Sequence, residues 1–180
     1  MAADGRRLWL MPSNAFAQLT NAETADLMAY LRTFRPQGEV QPAIQIGHIG
    51  RLGVVMGKFQ SEPELLANGP PKLQDLGPGH AAGRRVARLC VECHGPALEG
   101  NGMLKAPDLS IAASYDAEDF SRLMSTGMAA GNRKVGLMTL VGPARFSALT
   151  PDEVAVLHGY LKARAARQIA EVETKGLSKP

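Results

Sequence analysis

Two thiols and an imidazole stand together in Cys90-Val91-Glu92-Cys93-His94. Cysteines three positions apart, with a histidine directly after the second, form the spacing that attaches a c-type haem. Each thiol can add its S–H across a porphyrin vinyl group to form a thioether, and the histidine on the same turn then reaches the iron from the proximal side. Other uses of a CxxC pair ask for more than this chain offers. A redox dithiol is expected to open a helix after a strand in a βαβ setting, and none is legible here. A zinc site needs two further ligands, but the chain has only 2 cysteines, and His48, His80 and His158 stand singly.

The surrounding residues read as the elements that hold this motif. Ahead of it, His80 to Leu89 is a helix running into Cys90, in which Gly83 and Ala87 leave a small-residue face for close helix packing; Tyr160 is the natural partner. After it, Gly95-Pro96-Ala97-Leu98-Glu99-Gly100-Asn101-Gly102 is loop, leading to Ala106-Pro107-Asp108-Leu109. The Pro107 carbonyl has no competing amide hydrogen beside it and can accept from the distal ring nitrogen of His94, fixing the tautomer. A helix over Ala117 to Ser125 has an acidic first turn (Asp116, Glu118, Asp119) that suits its positive end, and Phe120, Leu123 and Met124 should face inward. The chain then passes Gly127, Gly131 and Gly136 to Met138, and through Phe146 to a last helix starting at Thr150-Pro151.

With 180 residues and 45% hydrophobic content the chain can build a globular core, yet aromatic residues are only 5%, a shortage that a buried flat macrocycle would offset. The net charge is +3, with Lys and Arg spread out and not interleaved with aromatic residues, which argues against nucleic acid as a partner. Two haem propionates would bring that charge close to neutral. No stretch approaches the roughly twenty apolar residues of a transmembrane helix. The nearest, Ile44 to Gly57, is interrupted by Gln45, His48 and Arg51. Met1 to Leu10 has a basic pair but no apolar core or cleavage site, so it does not read as an export signal. Covalent haem attachment belongs to an exported, oxidising compartment. The expectation is therefore a periplasmic protein whose export signal was lost with an upstream part.

An internal repeat supports that expectation. Arg6-Arg7-Leu8-Trp9-Leu10-Met11 faces Arg133-Lys134-Val135-Gly136-Leu137-Met138, and Phe16-Ala17-Gln18-Leu19-Thr20 faces Phe146-Ser147-Ala148-Leu149-Thr150. Both copies continue into a Thr-x-x-Glu capping box (Thr20 to Glu23, Thr150 to Glu153) and a helix, with Ala29-Tyr30-Leu31 facing Gly159-Tyr160-Leu161. The apolar stripe is Leu27, Tyr30, Leu31 and Phe34 in the first copy and Val154, Leu157, Tyr160 and Leu161 in the second. The second copy has the CxxCH upstream of it; the first has none. Residues 1–36 thus read as the back half of another such domain, residues 37–77 as a Gly/Pro-rich linker, residues 78–167 as the haem domain and residues 168–180 as a polar tail. The apolar patch Ile46 to Met56 in the linker is expected to lie against a domain surface.

The ordered set Cys90 to His94, Pro107, Met138 and the closing helix with Tyr160 resembles class I cytochrome c over roughly residues 78–165. The whole chain resembles the C-terminal portion of a di-haem cytochrome c, similar to the electron-transfer subunits that accompany periplasmic dehydrogenases. The resemblance implies an all-α fold: a class I cytochrome c-type haem domain preceded by an orphan C-terminal half of a second one. It also implies one covalent haem c in this chain and a second in the full-length protein. The sixth iron ligand would be a methionine before the last helix. Met103, Met124, Met128 and Met138 all follow the motif; Met138 is preferred because Met11 is its equivalent in the repeat, with Met128 in reserve. Neutral thioether ligation favours iron(II) and raises the potential, as suits an electron carrier without catalytic residues. Arg133, Lys134 and Arg145 flank the methionine loop, as a propionate partner, a docking rim for an acidic protein or plain solvated charge. The implied partners are a redox donor and acceptor, a dehydrogenase subunit among them. The competing classes are a di-haem peroxidase-like enzyme and a haem-based ligand sensor.

Overall fold

A computed structural model describes residues 16–17, 19–39, 44–58, 61–67, 69 and 73–177. Arg6 to Met11, which open the first repeat copy, lie outside the described residues, as do residues 178–180 of the tail. The chain is mostly helical, with one two-stranded sheet among the described residues. Its contacts divide into two units, Met1–Pro70 and Pro71–Pro180.

In the first unit, α1 (Asn21–Leu31) starts at the expected capping box: Glu23 N–H donates to Thr20 Oγ1 at 3.2 Å, and Thr20 N–H donates to the Glu23 carboxylate at 2.8 Å. Two amide hydrogens that the helix leaves unpaired are thereby satisfied. The Gly/Pro-rich stretch holds only short helices, α2 (His48–Val55) and α3 (Glu62–Ala67). The apolar patch was expected to be packed, but within this unit α2 leaves Ile49, Leu52 and Val55 exposed.

The second unit is built around a helix crossing. A 3-10 turn (Pro78–His80) leads into α4 (Ala81–Ala87), and a further 3-10 turn (Arg88–Cys90) into α5 (Val91–His94). The long closing helix α8 (Pro151–Leu177) lies across α4. Their approach depends on Gly83: a Cβ there would fall 2.1 Å from the Val156 carbonyl oxygen and 2.6 Å from Tyr160 Cβ. Only a residue without a side chain lets the two backbones come so close. Ala87 continues the small face and is fully buried, as the sequence led one to expect. The Tyr160 hydroxyl, on the same side of α8, donates to the Gln74 carbonyl at 2.9 Å and ties down the segment that leads into α4.

In sequence, between the two crossing helices come α6 (Ala117–Thr126), the hairpin of β1 (Met128–Ala129) and β2 (Arg133–Lys134), and α7 (Met138–Val141). In α6 the Asp116 side chain accepts from Asp119 N–H at 2.7 Å, and Gly127 closes the helix in the left-handed conformation. Phe120 and Met124 are buried as expected, and Leu123 is half-buried. The end of α6 abuts α7 and the π turn after it (Gly142–Phe146) through two glycines. A Cβ on Gly127 would stand 2.5 Å from Thr139 O, and one on Gly142 would stand 2.6 Å from Gly127 Cα. The core joins Leu98, Phe120, Met124, Phe146, Leu157 and Leu161 with Cys90 and Val91 of the motif.

The closing helix keeps the second capping box, with Glu153 N–H to Thr150 Oγ1 at 3.2 Å and Thr150 N–H to the Glu153 carboxylate at 2.8 Å. It also runs further than expected. Residues 168–177, taken from the sequence as the start of a polar tail, extend α8 to Leu177. No proline or glycine interrupts the chain between Gly159 and Gly176, and Arg167 and Glu171 pair one turn apart at 3.2 Å.

Candidate functional site

Cys90, Cys93 and His94 sit where the chain leaves the helix crossing, on the short turns after α4. Cys90 is packed into the core at 8% exposure, Cys93 is half-buried, and neither is in a disulfide. Burial, with a smaller contribution from neighbouring Cys93, pushes the Cys90 thiol up to about 12, so it stays protonated at neutral pH. A redox-active CxxC depends on the opposite, a thiol whose acidity is raised.

His94 is held from the far side of a tight loop. Its Nδ1 lies 2.8 Å from the Pro107 carbonyl oxygen. A carbonyl only accepts, so Nδ1 carries the hydrogen and donates, leaving Nε2 as the nitrogen with a free lone pair. The loop's own bonds fix that carbonyl. Gly100 N–H donates to the His94 carbonyl at 2.8 Å, Leu109 N–H to the Leu98 carbonyl at 3.0 Å, and Asn101 and Ala106 form an antiparallel bridge. Leu98 is fully buried with φ of 64°, a conformation costly for a residue with a side chain and tolerated where the surroundings dictate it.

A second clamp acts on the residue after Pro107. Arg164 of α8 reaches back to Asp108, with N···O distances of 2.9 and 3.4 Å, and its side chain is 5% exposed. Partial burial opposes ionisation of Asp108, but the hydrogen bonds from Arg164 and Ser110 outweigh it and hold the carboxyl at about 2. The closing helix is thereby coupled to the loop that orients His94. Sequence reasoning missed this pair. The hint was available: Arg164 follows Tyr160 and Leu161 on the buried stripe, and a guanidinium there requires a carboxylate partner.

The remaining candidates are more scattered. Met138 opens α7, is half-buried against the edge of the core and makes no hydrogen bond with the motif. Its loop is fixed by Val135 N–H donating to Thr139 Oγ1 at 2.8 Å and by the glycine contacts with α6. Of the other methionines, Met124 is in the core, Met103 is 92% exposed and Met128 is half-buried on β1. Arg145 pairs with Glu92 inside the motif at 3.1 Å, while Arg133 and Lys134 are exposed on β2. His158 proves to be a core residue, stacked on Phe120 with ring centroids 4.4 Å apart and its Nε2 3.1 Å from the Ala112 carbonyl oxygen. As a donor set, the site offers two unpaired thiols on adjoining turns and an imidazole with one nitrogen engaged and the other open. Those are the groups a covalently tethered porphyrin and its iron take up. Among the described residues no helix is long and apolar enough to cross a membrane. No protein-family model, curated protein or solved structure matches the chain.

Proposed function

We propose that the chain is a one-electron carrier of the class I cytochrome c kind, part of a periplasmic di-haem protein serving a dehydrogenase or a respiratory chain. The observation that carries this reading is the 2.8 Å contact of His94 Nδ1 with the Pro107 carbonyl. An imidazole so held has a fixed tautomer and ring orientation and a raised basicity at Nε2, which is what an axial iron ligand requires. A histidine that served only packing would gain nothing from standing beside two unpaired cysteines.

Cys90 and Cys93 would hold the porphyrin, each S–H adding across one vinyl double bond with no atom lost. His94 and Met138 would hold the iron. The haem, when bound, supplies a one-electron couple. The chain's part would be to keep the imidazole aligned through Pro107 and to offer a neutral thioether from the fixed start of α7. No side chain is assigned to substrate chemistry, and the partners are redox proteins.

Replacing Met138 by Ala in the haem-loaded protein tests the reading. Loss of the thioether should lower the reduction potential on the order of 0.1 V, a fraction of the ~0.8 V range that axial ligands span, and should open the iron to carbon monoxide. An unchanged potential and spectrum would remove Met138 from the ligand set. Carbon monoxide binding by the unmodified protein would favour a sensor or peroxidase-like site instead.

A further inference from the structure

The two capped helices of the repeat have opposite fates. In register, Leu27, Tyr30 and Leu31 of α1 match Leu157, Tyr160 and Leu161 of α8. The residues of α8 are 1%, 0% and 1% exposed, and those of α1 are 37%, 61% and 51% exposed. Phe16 repeats the contrast at 55%, against 8% for Phe146. The local structure is the same, since both copies form both bonds of the capping box at matching distances. The α8 stripe is covered by α4, with Gly83 against Val156 O and Tyr160 Cβ, Ala87 one turn on, and the Gln74 carbonyl accepting from the tyrosine hydroxyl.

We propose that α1 is a docking surface for a helix of the α4 kind, one with a Gly-x-x-x-Ala face that seats on Leu27, Tyr30 and Leu31. The repeat specifies the partner's chemistry further. Its glycine faces Tyr30 and the carbonyl of Asp26, the counterpart of Val156. A backbone carbonyl upstream of that glycine accepts from the Tyr30 hydroxyl, as Gln74 does from Tyr160. Where α8 has Arg164 and calls for a carboxylate, α1 has Phe34, whose ring packs edge-on against Tyr30 with centroids 5.0 Å apart. The α1 stripe therefore ends on an aromatic pair and asks for no carboxylate beside it. The α4 of this chain is already covered by α8, so the occupant is another segment. This inference stands on the repeat and does not depend on the haem.

The test uses the full chain and a fluorescent peptide with the sequence Leu73 to Leu89, held helical by a lactam between Ala81→Lys and Arg85→Glu, both exposed positions. Anisotropy should report saturable binding. Gly83→Leu in the peptide, or Tyr30→Asp in the chain, should weaken it by about tenfold or more. Tyr30 is exposed, so its replacement leaves the fold of residues 73–177 intact, as circular dichroism of the variant can verify. No saturable binding at millimolar peptide, or binding indifferent to both substitutions, would overturn the proposal. Self-association of the chain without peptide, abolished by Tyr30→Asp, would overturn it in favour of a second copy as occupant.

Discussion

Gly83→Ala adds one methyl group at the point where α4 and α8 touch. The new Cβ would lie 2.1 Å from the Val156 carbonyl oxygen, about 1.3 Å short of ordinary contact, and 2.6 Å from Tyr160 Cβ. The first obstruction is backbone and cannot rotate away, so the helices must separate by about an ångström and loosen Ala87, Leu157 and Leu161, which are 0–1% exposed. Overpacking of this kind costs about 1–3 kcal/mol, and an immovable neighbour puts it at the upper end. Helix propensity returns about 0.8–1 kcal/mol when alanine replaces glycine. The expected net loss is therefore about 2 kcal/mol, or roughly 8–15 °C in melting temperature for a domain near 100 residues. Gly159→Ala is the control: it lies within α8, and a Cβ there meets nothing within 4 Å, so propensity acts alone and the variant should gain about 0.5–1 kcal/mol. Thermal and urea unfolding of the purified protein, followed by circular dichroism, reads both. A Gly83→Ala variant as stable as the parent would refute the close crossing.

Asp108 has its acidity raised by Arg164 and Ser110, so its ionised form stabilises the fold above the unfolded value of 3.8, and that contribution is lost as pH falls from there towards about 2. The acid limb of the stability profile should flatten in Asp108→Asn; an unaltered limb would mean that the pair contributes nothing. Arg164→Met leaves Asp108 without its buried partner while Ser110 N–H still donates to it, and should cost about 1–3 kcal/mol by urea unfolding at neutral pH. Removing residues 1–36 should leave the visible spectrum unchanged, because Cys90, Cys93, His94, Pro107 and Met138 all belong to the second unit; a lost spectrum would mean that the removed residues complete the site.

Local rules sufficed wherever a residue's own chemistry dictated its surroundings. The capping boxes, the bare glycine face of α4, the apolar stripe of α8 and the reach of the Pro107 carbonyl to His94 were each legible from residue type and spacing. What stayed hidden depends on contacts distant in sequence. The clamp of Arg164 on Asp108 and the stacking of His158 on Phe120 join residues that no periodicity links. The extension of α8 through Leu177 was missed because polar composition was read as tail, although Gln168 to Lys175 contains neither glycine nor proline and its Gln, Ala, Glu and Lys residues favour helix. The strain at Leu98 had no local signal, since leucine is not a residue that seeks positive φ.

The central claim is that Cys90 and Cys93 carry a haem through carbon–sulfur bonds. Protein produced in a periplasm able to attach haem should be coloured, keep its pigment on extraction with acidified organic solvent, and show the mass of the chain plus one haem; Cys90→Ser with Cys93→Ser should abolish all three. A colourless product, or pigment that passes into the solvent, would contradict the account.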